Sequence, residues 1–312
     1  MNALLDVSVI IPTFNNAPWL GRTIDSALGQ THPPREVIVV DDCSTDDTAA
    51  VLAAYGDRIV PLRQPANRGP GAARNAGIAR ARGALVGCLD GDDAWHATLV
   101  EKQVAEFAAH PDLGLSYAAL TDCDENLKPN RPPRVYRRRR AERVFDELYL
   151  TAFVLPTSTV FVRRAAFELC GGFAEDLNKA EDYECWLRIA LRYPVSCLGE
   201  SLALRRHHGQ ALTSSVRVES NIRQKREVFE RCGRAAVAAG VTLPLSVAER
   251  QILSLRRRLA EYLEYGDLPA ARVCADELEK LGRLAPAERL RLVAGGARIA
   301  LSRGVRRLLG RR

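Results

Sequence analysis

No run of roughly 18 apolar residues occurs anywhere in the 312-residue chain, which excludes a helix built to span a membrane. The opening MNALLDVSVIIP has neither a basic start nor a small-residue cleavage site, so it reads as a first strand and not as a secretory leader. The eight cysteines include no C-x-x-C pair, and most lie beside apolar residues, as in VGCLD and VSCLG. Cysteines of this kind are small core residues in a reducing compartment, not zinc ligands or disulfide partners, and a cytoplasmic location is expected. A glycine-rich turn after the first strand is also missing. That strand ends in PTFNN, which excludes a dinucleotide-binding start.

Acidic residues are scarce at one end of the chain. Residues 1–215 carry 24 Lys/Arg against 27 Asp/Glu, whereas residues 216–312 carry 21 against 11. Residues 291–312, RLVAGGARIALSRGVRRLLGRR, hold seven arginines and no acid. The asymmetry predicts two regions, a near-neutral one over 1–215 and a basic helical one over 216–312.

What is present in the first region is alternation. VSVIIP and REVIVVDD are β-branched runs of strand length, and Leu20, Ile24, Ala27 and Leu28 recur between them at helical spacing. RIVPLR, ALVGCLD and LGLSYAAL continue the series with helical patterns in between. This order predicts an α/β fold with a mainly parallel central sheet flanked by helices. Ligands of such sheets bind at the carboxyl ends of the strands, where VVDDCSTDD and CLDGDDAW both stand. Residues 126–143, NLKPNRPPRVYRRRRAER, are expected to form a surface loop.

Asp90, Asp92 and Asp93 fall within four positions and repel one another unless positive charge lies among them. Hard oxygen ligands suit a divalent cation, magnesium or manganese, carrying phosphates that complete its shell. The bland reading is an ordinary Asp/Gly turn. RGPGAARNAG is open to two readings as well: a helix start whose free N–H groups face phosphate, or a plain Gly/Pro-started helix.

Five segments in series, VSVIIPTFNN, VIVVDDCSTDDT, NRGPGAARNAGIARARG, LDGDDAW and AEDYECWLR, resemble an inverting family 2 glycosyltransferase of GT-A fold. The resemblance runs from residue 7 to about 215. Each motif is degenerate alone; their order and spacing are specific. The resemblance implies a nucleotide-diphosphate sugar as donor, UDP- or dTDP-linked, and a glycan or lipid-linked acceptor in bacterial-type cell-surface polysaccharide synthesis. It places Pro12, Phe14 and Asn15 at the donor, with Phe14 against the nucleobase. Asp42 would accept from the base, Arg74 would approach the base or diphosphate, and Asp90 would bind the ribose. Asp92 would reach the metal, while Asp93 is expected to cap the next helix.

Transfer also needs a carboxylate to take the acceptor's proton. Glu181 and Asp182 open a helix, where acids are favourable in any case. The match on AEDYECWLR makes Asp182 the expected base, leaving Glu181 to orient the acceptor or serve the helix start. Trp186 is expected in the core, its alternative being a wall of the sugar pocket. RRHHGQALTSS resembles the family's closing segment and points to His207 as a metal ligand, with the neighbouring His208 open as the alternative, although Leu204 replaces the usual aromatic before the Arg.

The basic tail has the composition of a helix lying on an anionic membrane, which would make the enzyme peripheral on the inner face of the membrane. A solvated helix is the alternative. Two other functions compete. Nucleic-acid binding through YRRRRAER and the tail lacks an accompanying module, and no nucleic acid is expected as a partner. A sugar-nucleotide pyrophosphorylase would want a glycine-rich basic loop where PTFNN stands.

Overall fold

The computed structural model describes residues 5–130, 132–133, 139–141, 144–151, 155–177, 179–208, 218–265 and 267–292. The chain divides into two compact units, Met1–Ser215 and Val216–Arg312. Among the described residues no helix is long and apolar enough to cross a membrane.

The first unit begins with β1 (Val7–Thr13), α1 (Ala17–Leu28), β2 (Glu36–Asp41), α2 (Thr48–Ala53), β3 (Val60–Arg63), α3 (Pro70–Arg80) and β4 (Leu85–Cys88). Its strands pair in parallel in the order β3-β2-β1-β4, with Val9 opposite both Val37 and Gly87. Val9, Ile10 and Ile11 are completely buried. Helices cover both faces of such a sheet, which is why VSVIIP reads as one apolar run without alternation. Pro12 lies beyond the last β1 residue paired to β4, so its missing N–H breaks no ladder on that side.

The other half of the sheet is mixed. After β5 (Ala94–Trp95), α4 (Leu99–Ala109), β6 (Leu115–Cys123), β7 (Arg139–Ala141) and α5 (Val144–Thr151) comes β8 (Phe161–Arg163), which lies antiparallel between β4 and β6. Then α6 (Arg164–Cys170) and α7 (Glu181–Ala190) lead to β9 (Val195–Arg206), parallel to β6. The reversal of β8 has a positional consequence. Cys88 N–H bonds Val160 O, so the turn entering β8, Thr157–Thr159, lies beside the carboxyl end of β4.

Of the segment expected as a surface loop over 126–143, residues 131, 134–138 and 142–143 lie outside the described residues, and Arg139–Ala141 departs from the expectation. Asp124 Oδ1 accepts from the backbone N–H of Asn126 and of Lys128, which closes a turn, and Arg139–Ala141 pairs antiparallel with β9 as β7. The unpaired edge of β9 supplies the hydrogen bonds that low apolar content does not preclude.

Helix α3 lies against β1 without space for a side chain at Gly77. A methyl there would stand 2.5 Å from Ile10 Cγ2 and 3.3 Å from Val40 Cγ2. Gly77→Ala is therefore expected to destabilise the fold. Overpacking costs about 1–3 kcal/mol and exceeds the gain of roughly 1 kcal/mol from helix propensity. Urea unfolding checks this, and a stabilised variant would contradict the packing.

In the second unit α8 (Val218–Ala238), α9 (Val247–Tyr265) and α10 (Leu268–Lys280) bury Ile222, Leu255, Leu259, Cys274 and Leu278 in one apolar cluster. Helix α9 starts with a reciprocal cap: Ser246 N–H donates to Glu249 Oε2, and Glu249 N–H donates to Ser246 Oγ. Arg250 is buried with its guanidinium 4.4 Å from the Phe229 ring centre. The basic tail over 293–312 lies outside the described residues.

Candidate active site

The carboxyl ends of β1 and β2 are tied to each other. Asn15, with φ 53°, accepts Thr45 N–H on Oδ1 at 2.8 Å, and its own N–H reaches Ser44 Oγ at 2.9 Å. Asn tolerates this left-handed backbone better than most residues. The turn leaves Phe14 43% exposed, an open aromatic face at the end of a buried strand. Asp42 is buried, and its carboxylate accepts the backbone N–H groups of Arg68 and Gly69, at 3.0 and 2.7 Å. Asp42 thus holds the entry to α3, using two of its roughly four lone-pair sites.

Arg74 supplies the positive charge that the acidic cluster lacks locally. It is buried, with Nη2 2.7 Å from Asp90 Oδ1 and Nη1 2.8 Å from Glu181 Oε1, and it lies 5.2 Å from the Phe173 ring centre. Burial opposes its charge, but Asp90 and Glu181 outweigh that, and its pKa stands above the ordinary arginine value. Through these two ion pairs the Arg74 guanidinium holds two motifs together. Glu181 is the partner, so its carboxylate serves Arg74. Burial and Asp182 raise the pKa of Glu181 against the lowering effect of Arg74.

Gly91 lets the 90–93 turn pass close to β1. A side chain there would meet Pro12 O at 2.8 Å and Asn16 Nδ2 at 3.0 Å. Pro12 thereby contributes a wall to the acidic turn while its own ring is buried in the sheet. Asp93 does not cap a helix. The following helix starts at Leu99 after Thr98, and Asp93 instead accepts Ser158 Oγ–H at 2.5 Å and Arg206 N–H at 3.0 Å. It points inward because its turn is pinned between β8 and β9. Burial, followed by Asp92 and Asp90, pushes its pKa well above the usual carboxylate range. Asp90 keeps its side chain 36% exposed, the open face of the cluster.

The imidazole that meets Asp92 is His208, not the expected His207. His208 Nε2 stands 2.9 Å from Asp92 Oδ2, and its ring lies 3.7 Å from that of Trp19. His207 pairs with Asp122 Oδ1 at 2.8 Å, beside Arg205. Side chains alternate along an extended chain. Arg205 and His207 therefore project to one side, while Arg206 and His208 project to the other, where Arg206 Nε donates to Asp92 O at 2.8 Å. Burial and Asp90 raise the pKa of Asp92, and His208 works against that rise.

The Asp92–His208 pair fits a divalent cation. Two neighbouring donors on one ion at roughly 2.0–2.2 Å each lie about 3 Å apart, which matches the 2.9 Å found. Nδ1 of His208 is buried with no partner among the described residues. No group of three or more His, Cys, Asp or Glu among the described residues could hold a metal, so further positions would fall to ligand oxygens and water.

Asp182 opens α7 half-buried, behind Ala180 with φ 63°. Its Oδ2 accepts Thr157 Oγ1–H at 2.9 Å. Trp186 is completely buried, with its ring 5.3 Å from Phe173 in an edge-on contact. It is a core residue behind Arg74 and forms no wall of an open pocket. Thr157, Ser158 and Arg206 were not singled out by sequence reasoning, and His208 stood there only as the open alternative to His207. The alternation in ALRRHH carried the signal for Arg206 and His208; nothing local carried it for Thr157 and Ser158.

A sequence profile described as Glycosyl transferase family 2 matches residues 8–170. An uncharacterized Mycobacterium tuberculosis protein, MT1568, is 31% identical over 243 residues, covering 72% of this chain and 73% of that protein. The succinoglycan biosynthesis protein ExoO of Rhizobium meliloti is 36% identical over 150 residues, 48% of this chain and 42% of ExoO, so this chain spans less than half of that relative. Among solved structures, S. aureus TarS 1-349 in complex with UDP-GlcNAc aligns with a TM-score of 0.66 at 19% identity, covering 94% of this chain and 88% of the other. The mannosyltransferase PcManGT of Pyrobaculum calidifontis, in complex with GDP-Man and Mn2+, aligns with a TM-score of 0.57 at 20% identity, covering 95% and 87%. With its profile match, its relatives and its sheet all in agreement, the chain belongs to glycosyl transferase family 2 and has the GT-A fold.

Proposed function

We propose that this glycosyltransferase moves a sugar from a nucleotide-diphosphate donor, with inversion, to a hydroxyl of a glycan or lipid-linked acceptor in cell-surface polysaccharide synthesis. One observation carries the reading. The acidic turn after β4 and the acidic start of α7 are joined twice, through Arg74 to Asp90 and Glu181 and through Thr157–Ser158 to Asp182 and Asp93. Carboxylates held at fixed separation beside an open aromatic are what a donor and an acceptor hydroxyl require. A relative in succinoglycan biosynthesis and neighbours in complex with UDP-GlcNAc or GDP-Man support the substrate class.

In this reading Phe14 lies against the nucleobase and Asn15 shapes the loop beside it. Asp42 offers its remaining lone pairs to a uracil or thymine N–H, and Asp90 binds the ribose on its exposed side. Asp92 and His208 would hold a manganese or magnesium ion, whose chemistry when bound would be to neutralise charge on the leaving diphosphate. Asp182 accepts the proton of the acceptor hydroxyl. The oxygen bonds the anomeric carbon while the bond from that carbon to diphosphate breaks, its electron pair leaving with the diphosphate.

The test is release of nucleoside diphosphate from a panel of UDP-, dTDP- and GDP-sugars, with and without manganese, and the anomeric configuration of the product by NMR. Hydrolysis of a donor only with metal, and an inverted product, are expected. A retained anomer would remove the inverting assignment.

The basic tail adds a proposed membrane contact. Each Lys or Arg near an anionic surface contributes about 1 kcal/mol, and residues 291–312 hold seven arginines. The full chain is expected to co-sediment with anionic vesicles at low salt and to release as salt rises. A 1–290 truncation should not co-sediment. Equal partitioning of the two would assign the tail to solvent or packing.

A further inference from the structure

Thr157, Ser158 and Thr159 form one buried turn, and each hydroxyl goes to a different part of the molecule. Thr157 Oγ1 donates to Asp182 Oδ2 at 2.9 Å. Ser158 Oγ donates to Asp93 Oδ2 at 2.5 Å and accepts the backbone N–H of Asp90 at 3.2 Å. Thr159 Oγ1 accepts Ala118 N–H from β6 at 3.2 Å and donates to a carbonyl, with Ala118 O at 2.7 Å. The turn's carbonyls are held as well: Ser158 O accepts Trp95 Nε1–H, and Thr159 O accepts from Gln103 Nε2 at 3.1 Å. The turn is therefore anchored to β5, α4 and β6 on one side while its hydroxyls reach the two acidic motifs on the other.

We infer that this turn sets the distance between the donor-side carboxylates and the base, with Thr157 the positioning residue for Asp182 and Ser158 the positioning residue for the Asp90–Asp93 turn. The inference rests on the reading of Asp182 as base. Asp182 Oδ1 takes Tyr183 N–H at 2.6 Å, so with Thr157 on Oδ2 each oxygen carries one bond and the carboxylate plane is locked. Without Thr157 the plane is free to rotate about the side-chain torsion, and only the base side loses its alignment. Without Ser158 the Asp90 N–H and the Asp93 carboxylate lose a shared partner, and the donor side is affected instead. A buried threonine that merely satisfied its own hydroxyl would alter stability and leave no such division between neighbouring residues.

The experiment compares Thr157→Val, Thr157→Ser, Ser158→Ala and Asp182→Asn in hydrolysis of UDP-glucose, UDP-GlcNAc, dTDP-glucose and GDP-mannose with manganese, water taking the acceptor's place. Thermal unfolding of each variant is measured alongside. Thr157→Val is expected to lower kcat about tenfold to a hundredfold, since a displacement of about 1 Å can cost that much, with donor KM within about twofold. Thr157→Ser should recover kcat to within about threefold. Ser158→Ala, which removes the hydrogen bonds to both Asp90 and Asp93, should do the reverse, raising donor KM about tenfold with a smaller change in kcat. Wild-type kcat in Thr157→Val beside an inactive Asp182→Asn would overturn the inference and leave the base assignment standing. Equal falls of kcat, affinity and unfolding temperature in both the Thr157→Val and Ser158→Ala variants, unrescued by Thr157→Ser, would also overturn it. A wild-type protein inert toward all four donors, or an Asp182→Asn variant as active as wild type, would instead remove the reading beneath it.

Discussion

Asp182→Asn is expected to reduce transfer by about two to four orders of magnitude while leaving donor binding close to wild type. The amide keeps the shape and can still accept Thr157 Oγ1–H, so the start of α7 should survive. What it loses is the capacity to take a proton, worth about 2.7–5.5 kcal/mol of barrier on that scale. The comparison that matters is with Glu181, whose carboxylate is occupied by Arg74. Glu181→Gln should weaken that buried pair and lower stability together with activity, whereas Asp182→Asn should lower activity alone. Transfer within a few-fold of wild type in Asp182→Asn, measured with a donor that the panel shows to be hydrolysed, would return Asp182 to the structural role that any acid at a helix start can have.

Asp92→Asn is expected to abolish metal-dependent donor binding and hydrolysis in a protein that remains folded. Asp92 faces His208 and is the carboxylate of the turn best placed to share a cation with an imidazole. An amide is a weaker ligand for a hard divalent ion than a carboxylate. His208→Ala should behave in the same way. His207→Ala should not, because His207 is 52% exposed and paired with Asp122 on the other side of the strand. Calorimetry of UDP binding with and without manganese, run on the three variants, reads this directly. Unchanged affinity in Asp92→Asn under both conditions would remove the metal assignment, and a loss confined to His207→Ala would return it to the residue first expected from the motif.

The element types were legible from local chemistry. β-Branched runs of strand length became β1 and β2, and apolar residues at helical spacing became the buried face of α1, with Leu20 and Ile24 completely buried. The five motifs carried the family, because residue types and spacing survive in one dimension. The acidic cluster was legible as an unbalanced charge, but the contacts that hold its residues were not. Arg74 is 16 residues from Asp90 and 107 from Glu181, Ser158 is 65 from Asp93, and His208 is 116 from Asp92. Contacts of that separation depend on which strands become neighbours, and the antiparallel insertion of β8 between β4 and β6 decided that for Thr157 and Ser158. The choice between His207 and His208 shows the division most clearly. That the two adjacent imidazoles would point to opposite sides follows from the two-residue period of extended chain, a property of sequence and backbone alone. Which side holds Asp92 and which holds Asp122 depends on the pairing of β9 with β5 and β6, and only the assembled sheet determines it.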